Sequence, residues 1–329
     1  MRKYLLCLLL LMLILPCQSS FCAGKYSIGG ITFKHARPLA IQDPAPFGDF
    51  TTLAVPIKRA GNLIIVEAQL DTVEGNFVMD TGAPYLVLNS TYFRDMPHIA
   101  DQQAGGINGE SDGTFSTSVR NFSILDLHYS RLTADVTDLS AIENGRGIKI
   151  LGLLGTRLFS KFAVTVDMNN GVMYIQKVDK KGEIPLSERV FKDPYMVSPL
   201  RITDDIIFMK GNVNNKKAWF VFDTGAESNL LDYARMRRVL PTMQILSRSK
   251  LTGIGGSKFE VLYARFDDLQ IGGKDFTRNR VLITDLEKMG KAYDHTIDGI
   301  LGYDFFTRGI FTINFVKSEF EMYIYNNQQ

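Results

Sequence analysis

Residues 63–83 read LIIVEAQLDTVEGNFVMDTGA and residues 206–226 read IIFMKGNVNNKKAWFVFDTGA, and these two stretches decide the fold. Subtracting 80 from 223, the positions of the two aspartates, gives an offset of 143 that aligns the stretches without a gap. In each, two apolar runs flank a polar or small segment and the second run ends in Asp-Thr-Gly-Ala, a pattern that predicts a β-hairpin followed by a turn. The chain therefore contains a duplicated hairpin, with one carboxylate, Asp80 or Asp223, at the end of each copy.

Further repeats follow in the same order but at an offset of 147. They pair 106–109 with 253–256, 137–139 with 284–286, and 153–155 with 300–302. A common order with a drift of four residues is typical of gene duplication followed by small loop insertions. A period this long is that of a whole lobe and not of a solenoid unit. Short apolar runs separated by glycine and asparagine predict a mostly β fold.

These patterns divide the chain into five predicted parts. They are a signal peptide (1–23), an N-terminal arm (24–50), an N-terminal lobe (51–176), an interlobe linker (177–199) and a C-terminal lobe (200–329). The linker is rich in charged residues and proline, which favours a boundary there. Helical patterns are scarce, and the best candidates are 91–97, 232–240 and the segments after Gly155 and Gly302.

The first residues have the pattern of a secretory leader. Arg2 and Lys3 precede an apolar stretch over 5–15, which is shorter than the roughly 20 residues that a membrane-spanning helix needs. We therefore expect export to the periplasm or the medium with no stable membrane insertion after cleavage; an uncleaved N-terminal anchor or a lipid anchor is the alternative. The leader holds all three cysteines, Cys7, Cys17 and Cys22. A mature chain without them has no disulfide and no thiolate nucleophile.

The charge and the histidine content of the sequence limit the kinds of partner and cofactor that we expect. Removing Arg2 and Lys3 from 37 basic residues leaves 35 against 35 acidic ones, so the mature net charge is near zero and no nucleic-acid partner is expected. The histidines are scattered, at His35, His98, His128 and His295. No pair has the spacing of a zinc helix, so neither a metal nor another cofactor is expected. We expect a monomer, because both copies of the repeat lie in one chain.

Over 63–325 the sequence resembles the aspartic peptidases of the pepsin-like and retropepsin-like families. The matching motifs are Asp-Thr-Gly-Ala at 80–83 and 223–226, together with the apolar-apolar-Gly triplets at 153–155 and 300–302. The resemblance implies a bilobal acid-protease fold, in which two duplicated retropepsin-like β-barrel lobes enclose the active site. It also implies catalytic roles for Asp80 and Asp223. Thr81 and Thr224 would cross-link the two loops, and Gly82 and Gly225 would bring backbone N–H groups to the carboxylates.

The chemistry of such a site follows from the pairing of the carboxyls. Two carboxyl groups in one site cannot both ionise cheaply, so they share one proton. The ionised member can deprotonate a water molecule while the protonated member donates to the scissile carbonyl. The expected substrate is a peptide or protein segment in extended conformation. Ala83 and Ala226 stand where pepsin-like enzymes commonly have a hydroxyl, which predicts best activity at mildly acidic to near-neutral pH.

The glycine-rich segments about thirty residues after each aspartate resemble the flap tips of retropepsins. Their candidate substrate-binding residues are Gly106, Ile107, Gly109, Gly253, Ile254, Gly255 and Gly256. Glycine permits close backbone approach to a bound peptide. An ordinary glycine-rich hairpin turn is the alternative interpretation.

Other functions remain open at this point. The main rival is a peptide-binding module on the same fold that does not cleave. A glycosidase would also use two carboxylates, but at least about 5 Å apart. The Gly-x-Ser-x-Gly pattern at 109–113 suggests a serine hydrolase, yet its flanks predict neither the buried strand nor the helix that this motif needs. Asp298 is not preserved by the repeat, which favours a supporting role.

Overall fold

The computed structural model describes residues 4–6, 32–35, 44–101, 103–106, 109–111, 113–252, 258–292 and 295–325. The strands are β1 (Tyr4–Leu6), β2 (Thr32–His35), β3 (Thr52–Ala60), β4 (Leu63–Leu70), β5 (Val73–Met79), β6 (Leu86–Asn89), β7 (Ala100–Asp101), β8 (Gln103–Gly106), β9 (Gly109–Ser111), β10 (Phe115–Ile124), β11 (Leu127–Thr137), β12 (Gly152–Leu154), β13 (Phe162–Asp167), β14 (Val172–Lys177), β15 (Met196–Thr203), β16 (Ile206–Val213), β17 (Lys216–Phe222), β18 (Leu230–Asp232), β19 (Gln244–Thr252), β20 (Lys258–Phe266), β21 (Leu269–Ile271), β22 (Lys274–Phe276), β23 (Asn279–Thr284), β24 (Gly299–Leu301), β25 (Gly309–Asn314) and β26 (Glu319–Ile324). The helices are α1 (Ser90–Phe93), α2 (Ser140–Arg146), α3 (Glu287–Ala292) and α4 (Tyr303–Phe306), and short 3-10 turns cover Thr156–Phe159, Leu186–Glu188 and Leu240–Thr242.

The repeat in the sequence is a repeat in the structure. The hairpin of β4 and β5 and the hairpin of β16 and β17 occupy positions that differ by 143 residues. β12 runs parallel to β5 in the first half, and β24 runs parallel to β17 in the second. Strands that are buried on both faces need continuous apolar runs, which explains why Phe77–Met79 and Phe220–Phe222 are uninterrupted.

A six-stranded antiparallel sheet joins the two halves. Its strand order is β3-β14-β13-β25-β26-β15. At its centre Thr165 of β13 lies opposite Thr312 of β25, and their hydroxyls hydrogen-bond at 2.7 Å. These two residues are 147 positions apart, the offset of the late repeats. An approximate two-fold axis therefore passes between them.

The prediction of a mostly β, retropepsin-like fold is confirmed. Outside a small four-stranded sheet of β1, β2, β8 and β9, the strands form one hydrogen-bonded network that closes into a barrel. An aromatic cluster fills the core beneath β17. Phe222 packs against Phe305, Phe306, Phe311 and Phe320 at ring-centroid distances of 6.4, 6.2, 5.6 and 5.1 Å. The aromatic C-terminal segment is core, as its sequence indicates.

The helix predictions were partly wrong. Residues 232–240 form the end of β18 and a series of turns, not a helix. The Asp232 carboxylate accepts from the backbone N–H of Arg235 at 2.7 Å, as an N-cap does. The backbone bonds that reach back four residues, from Met236 to Asp232 and from Leu240 to Met236, are not consecutive, whereas an α-helix needs a continuous series of them. The helices α2 and α3 were not predicted, since α2 carries Asn144 and Gly145, both poor helix formers. The segments after Gly155 and Gly302 are helical, as expected.

The N-terminal predictions fall largely outside the described residues. Of the predicted signal peptide, only Tyr4–Leu6 is described, and it pairs with Thr32–His35 of the predicted arm. β15 begins at Met196, inside the segment predicted to be the linker. In the described part of the chain, no helix is both long enough and apolar enough to cross a membrane.

Candidate active site

The two aspartates emerge at matching points of the two halves. Asp80 follows the last residue of β5, and its N–H donates to the carbonyl of Leu154 at 3.0 Å. Asp223 follows β17, and its N–H donates to the carbonyl of Leu301 at the same distance, 3.0 Å. Each aspartate is therefore held by the strand that carries the apolar-apolar-Gly triplet. This pairing is the local reason why the triplet and the aspartate occur together.

Two threonine hydroxyls connect the aspartate loops. The hydroxyl of Thr81 donates to the carbonyl of Phe222 at 2.9 Å and accepts from the N–H of Thr224 at 2.9 Å. In the mirror arrangement, the hydroxyl of Thr224 donates to the carbonyl of Met79 at 2.8 Å and accepts from the N–H of Thr81 at 3.0 Å. A hydroxyl can donate and accept at once, so each threonine satisfies two buried backbone groups of the opposite loop.

The glycines of the motif lie between the two carboxyls. The N–H of Gly82 donates to Asp80 Oδ1 at 3.0 Å, and the N–H of Gly225 donates to Asp223 Oδ1 at 2.8 Å. A Cβ atom built on Gly82 would stand 2.7 Å from the carboxyl of Asp223, and one built on Gly225 would stand 2.7 Å from that of Asp80. Only glycine leaves room for the opposite carboxyl. Glycine is therefore required at positions 82 and 225 by the contact between the two loops as well as by the geometry of each turn.

The carboxyls themselves are fully buried. Asp80 and Asp223 are each 0% exposed, and their Oδ2 atoms receive no hydrogen bond from a described group. Burial first, and then the negative charge of Asp223, raise the pKa of Asp80 well above its ordinary value. Burial likewise raises the pKa of Asp223, to about 7. Two carboxyls buried in one site in this way cannot both ionise cheaply.

The placement of the carboxyls bears on one alternative function. The Cβ positions of Gly82 and Gly225 place each carboxyl against the glycine of the opposite loop. A glycosidase needs its two carboxyls at least about 5 Å apart around a sugar. Here a glycine of the opposite Asp-Thr-Gly motif, and not an open space for a sugar ring, lies next to each carboxyl.

The glycine-rich segments lie at hairpin tips as far as they are described. Gly106 pairs with Gly109 as the last pair of the β8–β9 hairpin, and Ile107 lies outside the described residues. The β19–β20 hairpin is described up to the pair of Thr252 and Lys258. Gly253, Ile254, Gly255 and Gly256 lie beyond that pair, outside the described residues.

The serine-hydrolase pattern does not have the required context. Ser111 ends strand β9, and the next regular element is strand β10. A nucleophile elbow needs a turn that opens a helix directly after the serine. Among the described residues, no group of three or more His, Cys, Asp or Glu side chains is placed to hold a metal ion.

Asp298 supports the strand that leads to Asp223. Its Oδ2 accepts the N–H of Trp219 at 2.8 Å, and its Oδ1 accepts Nε of Arg235 at 2.6 Å. Trp219 is part of β17, four residues before Asp223. The carboxylate thus anchors this strand and does not take part in the dyad.

Sequence reasoning missed the residues that join the two halves around the loops. Arg146 pairs with Glu227, and Arg157 pairs with Asp205 at 3.3 Å, each contact crossing from one half to the other. One signal was available for the first pair. In the repeat Glu227 aligns with Pro84, so the two copies differ just after the Asp-Thr-Gly-Ala motif. A charged residue in one copy and a proline in the other indicates that the two positions make different contacts.

Comparison with known families agrees with the local geometry. Residues 209–305 match a family model described as aspartyl protease. The match begins in β16, includes the Asp223 loop and ends in α4. No curated protein matches the chain significantly. The matched part supports a relationship with the aspartic peptidase superfamily.

Proposed function

We propose that the protein is an aspartic-type endopeptidase in which Asp80 and Asp223 activate a water molecule between them. One observation carries the proposal: two fully buried carboxyls with raised pKa values meet at equivalent positions of a duplicated hairpin. Two like charges repel each other, so a purely structural role does not explain why two carboxyls are buried together. A catalytic site in which two carboxyls share one proton does explain it.

The reaction follows from this arrangement. The ionised carboxyl takes a proton from water as the water oxygen attacks the scissile carbonyl carbon, and the protonated carboxyl donates to the carbonyl oxygen. The resulting tetrahedral diol collapses when the C–N bond breaks: the carboxyl that took the water proton gives it to the amide nitrogen, and a diol hydroxyl returns its proton to the other carboxylate, which restores the starting state of the pair. No covalent bond to the enzyme forms. The proton belongs to the pair, so neither aspartate is assigned as the acid.

The remaining residues have supporting roles in this proposal. Thr81 and Thr224 keep the loops in register through the hydrogen bonds between the halves. Gly82 and Gly225 donate to the carboxylates. Because both carboxyls are fully buried, the segments in front of them have to move before a peptide can enter. The glycine-rich residues Gly106, Ile107 and Gly109 and residues 253–256 are the candidate substrate-binding residues of this proposal.

The proposal extends to organisation and location. Two lobes, 51–176 and 200–329, act as one monomer on extended peptides, and the exported protein starts after a leader that ends near residue 23. The supporting features are the repeat and the apolar N-terminal stretch. Gel filtration and N-terminal sequencing of the protein recovered from its native cell test these points. A dimer, or an intact leader on all molecules, would contradict them.

Digestion of a diverse peptide library by the mature protein across pH is the decisive experiment. We expect cleavage by the wild type and none by Asp80→Asn or Asp223→Asn, because each substitution removes one partner of the shared proton. Asp275→Asn is the matched control, since Asp275 is exposed and lies on the β21–β22 hairpin. A peptide with a statine-type hydroxyl should inhibit, because its hydroxyl replaces the attacking water.

The same experiment separates the rival function. A peptide-binding module would retain library peptides without cutting them, and Asp→Asn substitution would leave that retention intact. Turnover that survives in either dyad variant would show that the chemistry lies elsewhere.

A further inference from the structure

A buried ion pair joins the two halves of the chain next to the Asp223 loop. Arg146 is the last residue of α2, and Glu227 lies four residues beyond Asp223 in the same loop. The two side chains form an ion pair and are only 6% and 2% exposed. Charged residues are rarely buried this far unless they are paired. The opposite charges therefore offset part of the cost of burying each other.

The surroundings of this pair hold both partners in place. Gly61, in the turn between β3 and β4, has a φ of +61°, and a Cβ atom on it would stand 3.2 Å from the Arg146 guanidinium. The next residue, Asn62, donates from Nδ2 to the backbone carbonyl of Glu227 at 3.1 Å. The backbone and the side chain of Glu227 are thus both tied to the N-terminal half.

The other half has no equivalent of this pair. Glu227 aligns with Pro84 in the repeat, and proline offers no charge. A second ion pair between the halves joins Asp205 to Arg157 at 3.3 Å, and the Asp205 carbonyl accepts from the Thr156 hydroxyl at 2.6 Å. The side chains of that ion pair are 18% and 29% exposed. The closely buried pair is therefore specific to the Asp223 side.

A buried ion pair is a poor source of stability, since desolvation offsets the attraction between the charges. Its better-supported use is to select one geometry, because only one arrangement pairs both charges. We propose that Arg146 and Glu227 are a positioning pair that fixes the Asp223 loop against the N-terminal half and so keeps the two carboxyls in contact. Its catalytic consequence rests on the proposed peptidase function.

The test separates positioning from stability by removing both charges together. Arg146→Met alone leaves a buried, unpaired carboxylate and should lower Tm by about 5–10 °C. Arg146→Met combined with Glu227→Leu keeps an apolar pair of similar volume and should hold Tm within about 3 °C of the wild type. Removal of the pair Arg189 and Glu321, as Arg189→Met with Glu321→Leu, is the matched control, because that ion pair lies outside the dyad loops.

Two measurements then decide. In the double variant we expect kcat to fall at least about tenfold with KM unchanged, as for loss of catalytic alignment. We also expect faster amide hydrogen exchange in the peptide covering 220–228, whose Thr224 and Gly225 amides hydrogen-bond to Thr81 and Asp223. The control variant should match the wild type in both measurements. Arg146→Lys keeps the positive charge but loses the planar guanidinium group. Its kcat should therefore lie between that of the double variant and that of the wild type.

A stable double variant with wild-type kcat and wild-type exchange would overturn the proposal, and so would a change confined to KM. If the double variant does not fold, Arg146→Lys measured in the same two ways gives the decision. If the wild type itself cleaves no peptide, the proposed peptidase function has failed, and hydrogen exchange still decides whether the pair positions the loop.

Discussion

The shared proton of the dyad should make the stability of the protein depend on pH in a specific direction. The pKa of Asp223 rises from 3.8 in the unfolded chain to about 7 in the folded protein because the group is buried. The folded state then binds a proton that the unfolded state has released. Stability is therefore fully present below pH 3.8 and is lost as the pH rises through about 7.

The magnitude follows from the size of this shift. A change of about 3 pKa units at about 1.4 kcal/mol per unit corresponds to about 4 kcal/mol of stability lost between pH about 4 and about 7. Asp80 is shifted in the same direction and adds to the loss. Asp80→Asn combined with Asp223→Asn removes both titrations while keeping an oxygen to accept the Gly82 and Gly225 N–H groups. This double variant should lack the decline and be the more stable protein at neutral pH.

Urea unfolding across this pH range measures the difference. The chain has one tryptophan, Trp219, on the strand that leads to Asp223, and its fluorescence reports the transition. A variant with Asp138→Asn and Asp275→Asn, which removes two exposed carboxylates, controls for net charge. Parallel stability curves for the wild type and the dyad variant would refute the argument, since they would mean that the carboxyls do not hold a proton in the folded state.

Three further predictions concern catalysis. Gly82→Ala should lower kcat/KM at least about 100-fold and destabilise the fold by about 1–3 kcal/mol in urea unfolding, because its Cβ would stand 2.7 Å from the Asp223 carboxyl; near-normal kinetics would show that the loops can separate without loss. The kcat/KM of the wild type should fall as the pH drops below about 7, where the coupled pair takes up a proton, and Ala226→Ser should move this acid limb to lower pH by adding a hydroxyl beside the carboxylate; a profile that peaks near pH 2, close to the lower value for the pepsin dyad (about 1.5), would contradict it. Gly255→Val should impair peptide cleavage more than it lowers Tm, because a β-branched residue resists positive φ and blocks approach to a substrate backbone; unchanged kinetics would make the segment an ordinary turn.

Much of the fold could be predicted from local pattern. The bounds of two strands, Leu63–Leu70 and Ile206–Val213, are those that the sequence indicated. The second strands of the two hairpins are longer than their apolar runs, as for β17, where the polar residues Lys216–Lys217 also pair with β16. Apolar runs are a local property, and hydrogen bonding by the backbone extends past them. The predicted helix at 232–240 is absent because the backbone bonds that reach back four residues there, from Met236 and Leu240, are not consecutive, and residue propensities do not reveal this.

The candidate site divides in the same way. By itself, the sequence determined that two Asp-Thr-Gly-Ala turns exist, that each ends an equivalent hairpin and that the aspartates form the candidate dyad, since motif and repeat can both be read along the chain. Only the tertiary structure decided that each glycine stands against the carboxyl of the opposite loop, that the two carboxyls are buried together with raised pKa values, and that Arg146 reaches Glu227. Those contacts join residues about 80 to 145 positions apart. Their geometry depends on how the two halves pack, and no local pattern encodes the distance between atoms that come together only after both halves have folded.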